Sequence, residues 1–417
     1  MSILIRREQG FYRRLMKLSM PIVLQNLITF TLGLMDTLMV SWLGNTEMAA
    51  VTAANVPVFL LISIVFGVQS GLGILVSQYW GKQDMKSISR SIGVASFVGA
   101  AVAAVLAAVL FLWPVQIMDL MSNNHQLSIL GAPYLKLIGI SYIFNMLSSV
   151  YASAQRSAEN PSFGMKLFGT STLINTGLNY LLIFGKLGLP ALGITGAAVA
   201  TFFSRVVEFI ISVTYALHCK RMPLMPACIL RPGKAIFRSF VKFSTPVLLN
   251  ETLWGTGTSL YTVIMGHMAG STDLISAYTV AGNIDKMVTV AIFGVAAAAA
   301  VIVGKEVGMG GKNAYDIGRA LIFVAFCTGL GVAVVEQLLF WLVLQPHVLP
   351  LFSMSAVSAS LCVTMMICYS LSAPLHAFAT TGIVGVLRGG GDVRAAMLID
   401  LLPLWCFTLP LLVPDLF

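Results

Sequence analysis

Long apolar runs constrain this chain more than any other feature. A helix needs about 20 apolar residues to cross the hydrocarbon core of a bilayer. Such runs recur near 16–42, 51–79, 91–115, 130–154, 167–185, 192–217, 241–268, 275–303, 320–344, 357–384 and 396–414. Only 10% of the 417 residues are charged, against about 25% in an ordinary soluble domain, which excludes a water-soluble globule. A hydrophobic content of 58% excludes disorder. The runs are also far longer than the alternating strands of a membrane barrel. The sequence therefore predicts an all-α polytopic membrane protein with about 11 spans. The first run follows Arg6, Arg7, Arg13, Arg14 and Lys17, as a signal core would. It is too long for one, and no small-x-small cleavage site follows, so a retained first helix is expected.

The net charge of +9 is a matter of topology. With the N-terminus in the cytoplasm, 21 of the 25 Lys and Arg residues fall on the cytoplasmic side. Lys136 and Lys186 fall outside, and Arg205 and Lys286 lie within spans. Cytoplasmic loops carry an excess of basic residues, so a multi-pass plasma-membrane protein with a cytoplasmic N-terminus is expected, and no nucleic-acid partner. The six cysteines form no C-x-x-C pair and read as small apolar residues. Walker A, H-E-x-x-H and G-x-S-x-G motifs are missing from the sequence, so neither ATP-driven transport nor an enzyme is expected.

The chain repeats itself. Lys17-Leu-Ser19-Met-Pro21 recurs as Lys242-Phe-Ser244-Thr-Pro246, and Phe66-Gly67-Val68 as Phe293-Gly294-Val295. Gly81 aligns with Gly308, and Gln155-Arg156…Asn160 with Leu387-Arg388…Asp392. Six spans precede the second copy, so both halves face the same way, related by an axis along the membrane normal. The reading is two pseudo-symmetric six-helix bundles: 1–217, then a basic cytoplasmic linker at 218–239, then 240–417. The second copy stops where the first has Gly185, so nothing in this sequence answers the sixth span: either the second bundle is short by a helix, or a twelfth span is missing from this sequence. Two bundles about a central cavity suit a transporter acting as a monomer in the lipid bilayer better than a channel.

Ionisable groups within spans are costly and mark function by default. Asp36 lies in the first span with no basic residue within one turn, which suits a cation or proton site; a permanently protonated or helix-capped carboxyl is the alternative. Asn175 and Asn179 stand at i and i+4 on one helical face, and Thr201 lies on the next span. Their oxygens complete a shell for a hard cation such as Na⁺, or they join helices by hydrogen bonds. Glu251 follows Pro246 on the seventh span, where the first copy has Asn26, so it reads as a second-bundle carboxylate or as a buried acid near the cytoplasmic end. Arg205 and Glu208, at i and i+3, read as a structural ion pair. Asp285, Glu336, Asp400, His267 and His376 are weaker candidates. Trp254, Tyr261 and Tyr278 are candidates to line a substrate cavity through cation–π contact, or they pack against core and lipid.

These residues resemble a known family. Pro21 with Asp36-Thr37-x-Met39, Gln69-x-Gly71 with Gln78-x-x-Gly81, and Asn175…Asn179-Tyr180 are similar to the multidrug and toxic compound extrusion (MATE) family. Leu192-Gly-x-x-Gly196, Pro246…Asn250-Glu251-x-x-Trp254 and Leu387-Arg388-Gly-Gly-Gly-Asp392 extend the resemblance over the whole chain, on its NorM-type branch. The resemblance implies twelve helices and export of organic cations by exchange for Na⁺ or H⁺, with no other cofactor. It implies a first-bundle cation site at Asp36, Asn175, Asn179 and Thr201, and a second-bundle carboxylate at Glu251. The tenth-span acid of some NorM-type members has no counterpart at 357–384, which favours the first-bundle site. Two rivals remain: a flippase for lipid-linked sugars, and a membrane scaffold that transports nothing. The flippase calls for a cavity lined with Arg and Lys, and only Arg205 and Lys286 lie within spans.

Overall fold

A computed structural model describes residues 10–121, 124–268, 271–348 and 355–412. Arg6 and Arg7 lie outside the described residues. The long elements are α1 (Phe11–Ser41), α2 (Asn45–Gly81), α3 (Met85–Leu112), α5 (His125–Ser157), α6 (Pro161–Phe184) and α7 (Gly193–His218). Then come α9 (Lys234–His267), α10 (Ser271–Gly308), α11 (Ala314–Leu339), α12 (Ala356–Thr380) and α13 (Val393–Leu402). Three short helices fill gaps: α4 (Pro114–Met121), α8 (Pro226–Leu230) and α14 (Leu409–Leu412). No strand occurs among the described residues. The all-α polytopic reading holds: among the described residues, ten helices are long and apolar enough to cross a membrane. The seventh predicted span lies in α9, whose middle carries Asn250, Glu251 and a run of Thr, Gly and Ser from Gly255 to Ser259 that dilutes its apolar character.

Side chains fix several helix starts. Asp84 accepts from Ser87 N at 3.0 Å ahead of α3, and Ser355 from Ser358 N at 3.0 Å ahead of α12. Such caps satisfy amides that the helix leaves free. Three helices of the second half widen into π-helical turns, at Phe340–Val348, Thr381–Arg388 and Pro403–Thr408. Wide turns of this kind gather at functional sites, and one of them ends on Arg388.

The sequence boundaries 1–217, 218–239 and 240–417 describe connectivity. By compactness, residues sort into two units: Leu24–Leu248, and the residues through Val23 together with Leu249–Phe417. Each boundary falls two residues past a proline of the repeat, Pro21 in α1 and Pro246 in α9. Within the Leu24–Leu248 unit, Leu72, Leu75, Ile92, Leu135, Met146 and Val150 form one core, joined by Phe240 from the start of α9. The linker is folded onto this unit. Met222 is buried, Met225 N donates to Ser89 Oγ at 3.3 Å, and a Cβ on Gly93 would collide with the backbone of Ile229 in α8. Within the other unit, Leu15 and Leu18 of α1 bury against Ala298, Ala299, Ile302 and Leu321.

Candidate functional site

The site is built from α1, α6 and α7. A Cβ on Gly196 would lie 2.6 Å from Leu182 O, so only glycine lets α7 approach α6 this closely. That approach brings Thr201 to the Asn face of α6. Asn175 and Asn179 are buried, at 6% and 1% exposure. Asn179 Nδ2 donates to Asp36 Oδ1 at 2.7 Å, and the Asn175 side-chain amide lies 3.2 Å from both Asn179 Nδ2 and Thr201 Oγ1. All four residues expected at the first-bundle site therefore meet.

The Asn175 amide nitrogen, turned toward Asp36, donates to its two oxygens at 3.2 and 3.1 Å, and the amide oxygen accepts from Thr201 Oγ1 and Thr201 N at 3.2 Å. Asn179 Oδ1 is buried and accepts no hydrogen bond among the described residues. The Asp36 carboxylate, that free amide oxygen and the Thr201 hydroxyl are oxygen donors of the kind a hard monovalent cation takes.

Asp36, Asn179 and Thr201 border a cavity of about 460 Å³, which Asn55, Tyr134 and Tyr142 also line. These three aromatic and polar residues are not marked by the sequence, because an isolated Tyr or Asn in an apolar run carries no periodic signal. Arg205 reaches the same cavity and is within electrostatic reach of Asp36, but it is already engaged. Arg205 Nη1 lies 2.7 Å from Glu208 Oε2, and fully buried Glu208 also accepts from Ser171 Oγ at 3.0 Å and Asn145 Nδ2 at 3.3 Å. The predicted i,i+3 pair is thus extended by two further donors.

The remaining candidates lie in the other unit. Glu251 Oε1 accepts from Arg388 Nη1 at 2.7 Å, Arg388 Nη2 lies 3.5 Å from Asp400 Oδ2, and Asn250 Nδ2 donates to the same Asp400 oxygen at 2.7 Å. The positive charge beside Glu251 is therefore a guanidinium. In the first copy Asn26 replaces Glu251, and Arg156 donates instead to Gln69 Oε1 at 3.5 Å and Ser153 Oγ at 3.4 Å. Trp254, Tyr261 and Tyr278 do not line the Asp36 cavity. Trp254 is half exposed, and Tyr261 packs with Ile264, Leu404 and Leu409.

Comparison with known proteins agrees with this architecture. The MatE family profile matches residues 21–181 and 246–412, one match per copy of the repeat. A probable multidrug resistance protein NorM of Thermotoga maritima is 22% identical over 301 residues, 72% of this chain and 64% of that protein. The matched stretch thus spans a little under two thirds of that relative. A probable multidrug resistance protein NorM of Pasteurella multocida is 22% identical over 96% of this chain and 85% of its own length. The outward-facing structure of a multidrug resistance MATE family transporter of the MOP superfamily superposes with a TM-score of 0.86 at 17% identity, over 96% of this chain and 87% of that one. The chain belongs to the MatE family.

Proposed function

We propose that this protein exports small organic cations in exchange for a monovalent cation, Na⁺ or H⁺, seated at Asp36. The carrying observation is the meeting of Asp36 with Asn175, Asn179 and Thr201, where the buried Asn179 Oδ1 acceptor has no donor among the described residues. A bare carboxylate at such a depth is costly. Its neutralisation by a coupling ion, or by a cationic substrate in the cavity, links the two ligands through one charge. A ligand shifts an equilibrium between cavity states only by its differential affinity for them; here both ligands draw that difference from Asp36. The names of the NorM relatives support drug efflux as the direction. Engagement of Arg205 by Glu208 speaks against a cavity for anionic lipid-linked cargo, because no basic group there is left to meet it. The basic bias of the loops supports a cytoplasmic N-terminus in the plasma membrane.

Ethidium efflux from proteoliposomes tests this reading, with a Na⁺ gradient imposed in one arm and a pH gradient in the other. Wild-type protein is expected to respond to one gradient. Asp36→Asn is expected to abolish the response while retaining the thermal stability of the wild type. Undiminished efflux by Asp36→Asn refutes the assignment.

A further inference from the structure

Glu336 on α11 has no accessible surface, and neither of its carboxyl oxygens has a hydrogen-bond partner among the described residues. It interrupts an apolar seam. Val332, Glu336 and Phe340 follow at four-residue spacing, on one face of the helix. Val332 packs with Ile292, Ala373 and Ala377; Phe340 packs with Ala277, Ala281, Cys362 and Met366. Between these apolar layers α10 places Asp285 and buried Thr289, and α12 places buried Ser370.

The layer offers Glu336 no donor. Thr289 Oγ1 donates to the Asp285 carbonyl at 2.8 Å. Ser370 Oγ donates to Ile367 O at 3.0 Å and accepts from Gln337 Nε2 at 2.6 Å. The titratable groups facing Glu336 supply no spare positive charge either. Asp285 acts on it through space with a like charge, and Tyr369 and Cys362 of α12 are neutral when protonated. Lys286 and His376 act on Asp285, and Arg388 is committed to Glu251 and Asp400. Glu208 and Glu251 each hold a guanidinium; Glu336 holds none. An ionised carboxylate sealed among apolar side chains is expensive, and a single proton removes the cost.

We infer that Glu336 is a proton-binding site: a single proton keeps its carboxyl neutral within the seam of α10, α11 and α12. This site shares no residue with the Asp36 group and stands whether or not Asp36 couples transport.

Infrared spectroscopy of the full chain in liposomes reads it directly. At neutral pH the wild type is expected to show a protonated-carboxyl C=O band, sensitive to D₂O, that Glu336→Gln removes and Asp36→Asn leaves in place. If Glu336→Gln does not fold, Glu336→Asp is expected to shift the band. A wild type whose protonated-carboxyl bands all survive in Glu336→Gln overturns the proposal. So does loss of the band when Na⁺ replaces K⁺, which would assign the site to a metal cation.

Discussion

Glu208→Gln is the substitution that most sharply tests the electrostatics around Asp36. Glu208 is fully buried and receives Arg205 at 2.7 Å, Ser171 at 3.0 Å and Asn145 at 3.3 Å. Gln keeps the shape and removes the charge, so Arg205 becomes a guanidinium without a counter-ion. Breaking a buried pair from one side costs about 3–5 kcal/mol. Arg205 lines the same cavity as Asp36 and has one remaining carboxylate to turn to. At about 4 Å and an effective dielectric near 20, that attraction reaches about 4 kcal/mol. Since about 1.4 kcal/mol is a factor of ten, an ion competing for Asp36 would lose affinity on the order of several hundredfold. Efflux by Glu208→Gln is therefore expected to collapse, although Asp36 itself is intact. Arg205→Gln in the same chain removes the intruding charge, so the double variant should regain efflux and recover part of the lost stability. The assays are gradient-driven ethidium efflux and thermal unfolding in detergent, run as a double-mutant cycle. Stability losses that simply add, with no recovery of efflux in the double variant, would falsify this account.

Three further expectations follow from packing and caps. A Cβ on Gly71 would overlap Ser244 Oγ and lie 2.9 Å from Ser244 Cα, so Gly71→Ala should cost about 1–3 kcal/mol, and Ser244→Ala should rescue it only in part; full rescue in a melting experiment would show that the backbone approach is not limiting. Arg388→Ala strands two carboxylates whose side chains are each 26% exposed and should cost about 1.5–3 kcal/mol, with unchanged unfolding as the contrary result. Asp84→Ala removes the cap of α3 and should cost about 0.5–2 kcal/mol. The Ser87 hydroxyl, at 2.6 Å, holds the Asp84 carboxyl below its ordinary range. A depressed carboxyl contributes above its unfolded pKa and loses that contribution as pH falls through the folded one, so the Asp84→Ala deficit should be full at neutral pH and vanish only in acid; a deficit that fades between pH 8 and about 6 would contradict the cap.

The span pattern and the Asp36 group were legible because both rest on spacing along the chain. Asn175 and Asn179 share a face by helical geometry alone, and an acid inside an apolar run is conspicuous without a fold. The fate of Glu251 was not legible. Its partner Arg388 is 137 residues away and reads from sequence as a loop cation. Tyr134, Tyr142 and Asn55 line the cavity through the packing of α2 and α5, which apolar periodicity does not specify. The isolation of Glu336 is likewise a property of three helices together, because the sequence marks an acid and cannot show that every nearby donor is spent.

The partition of α1 and α9 has a consequence for how the molecule is made. Leu15 and Leu18 are buried in a cluster with Ala298, Ala299, Ile302 and Leu321, nearly three hundred residues later, while Phe240 from the second half plugs a core completed by the first. Each half of the gene thus encodes a peg for the other half's socket. A ribosome that has finished the first six spans has left one peg waiting and one socket empty, so membrane insertion can proceed in order but folding cannot close until α10 arrives. Separately expressed halves would meet the bilayer as mutually dependent fragments, stable only when both are present.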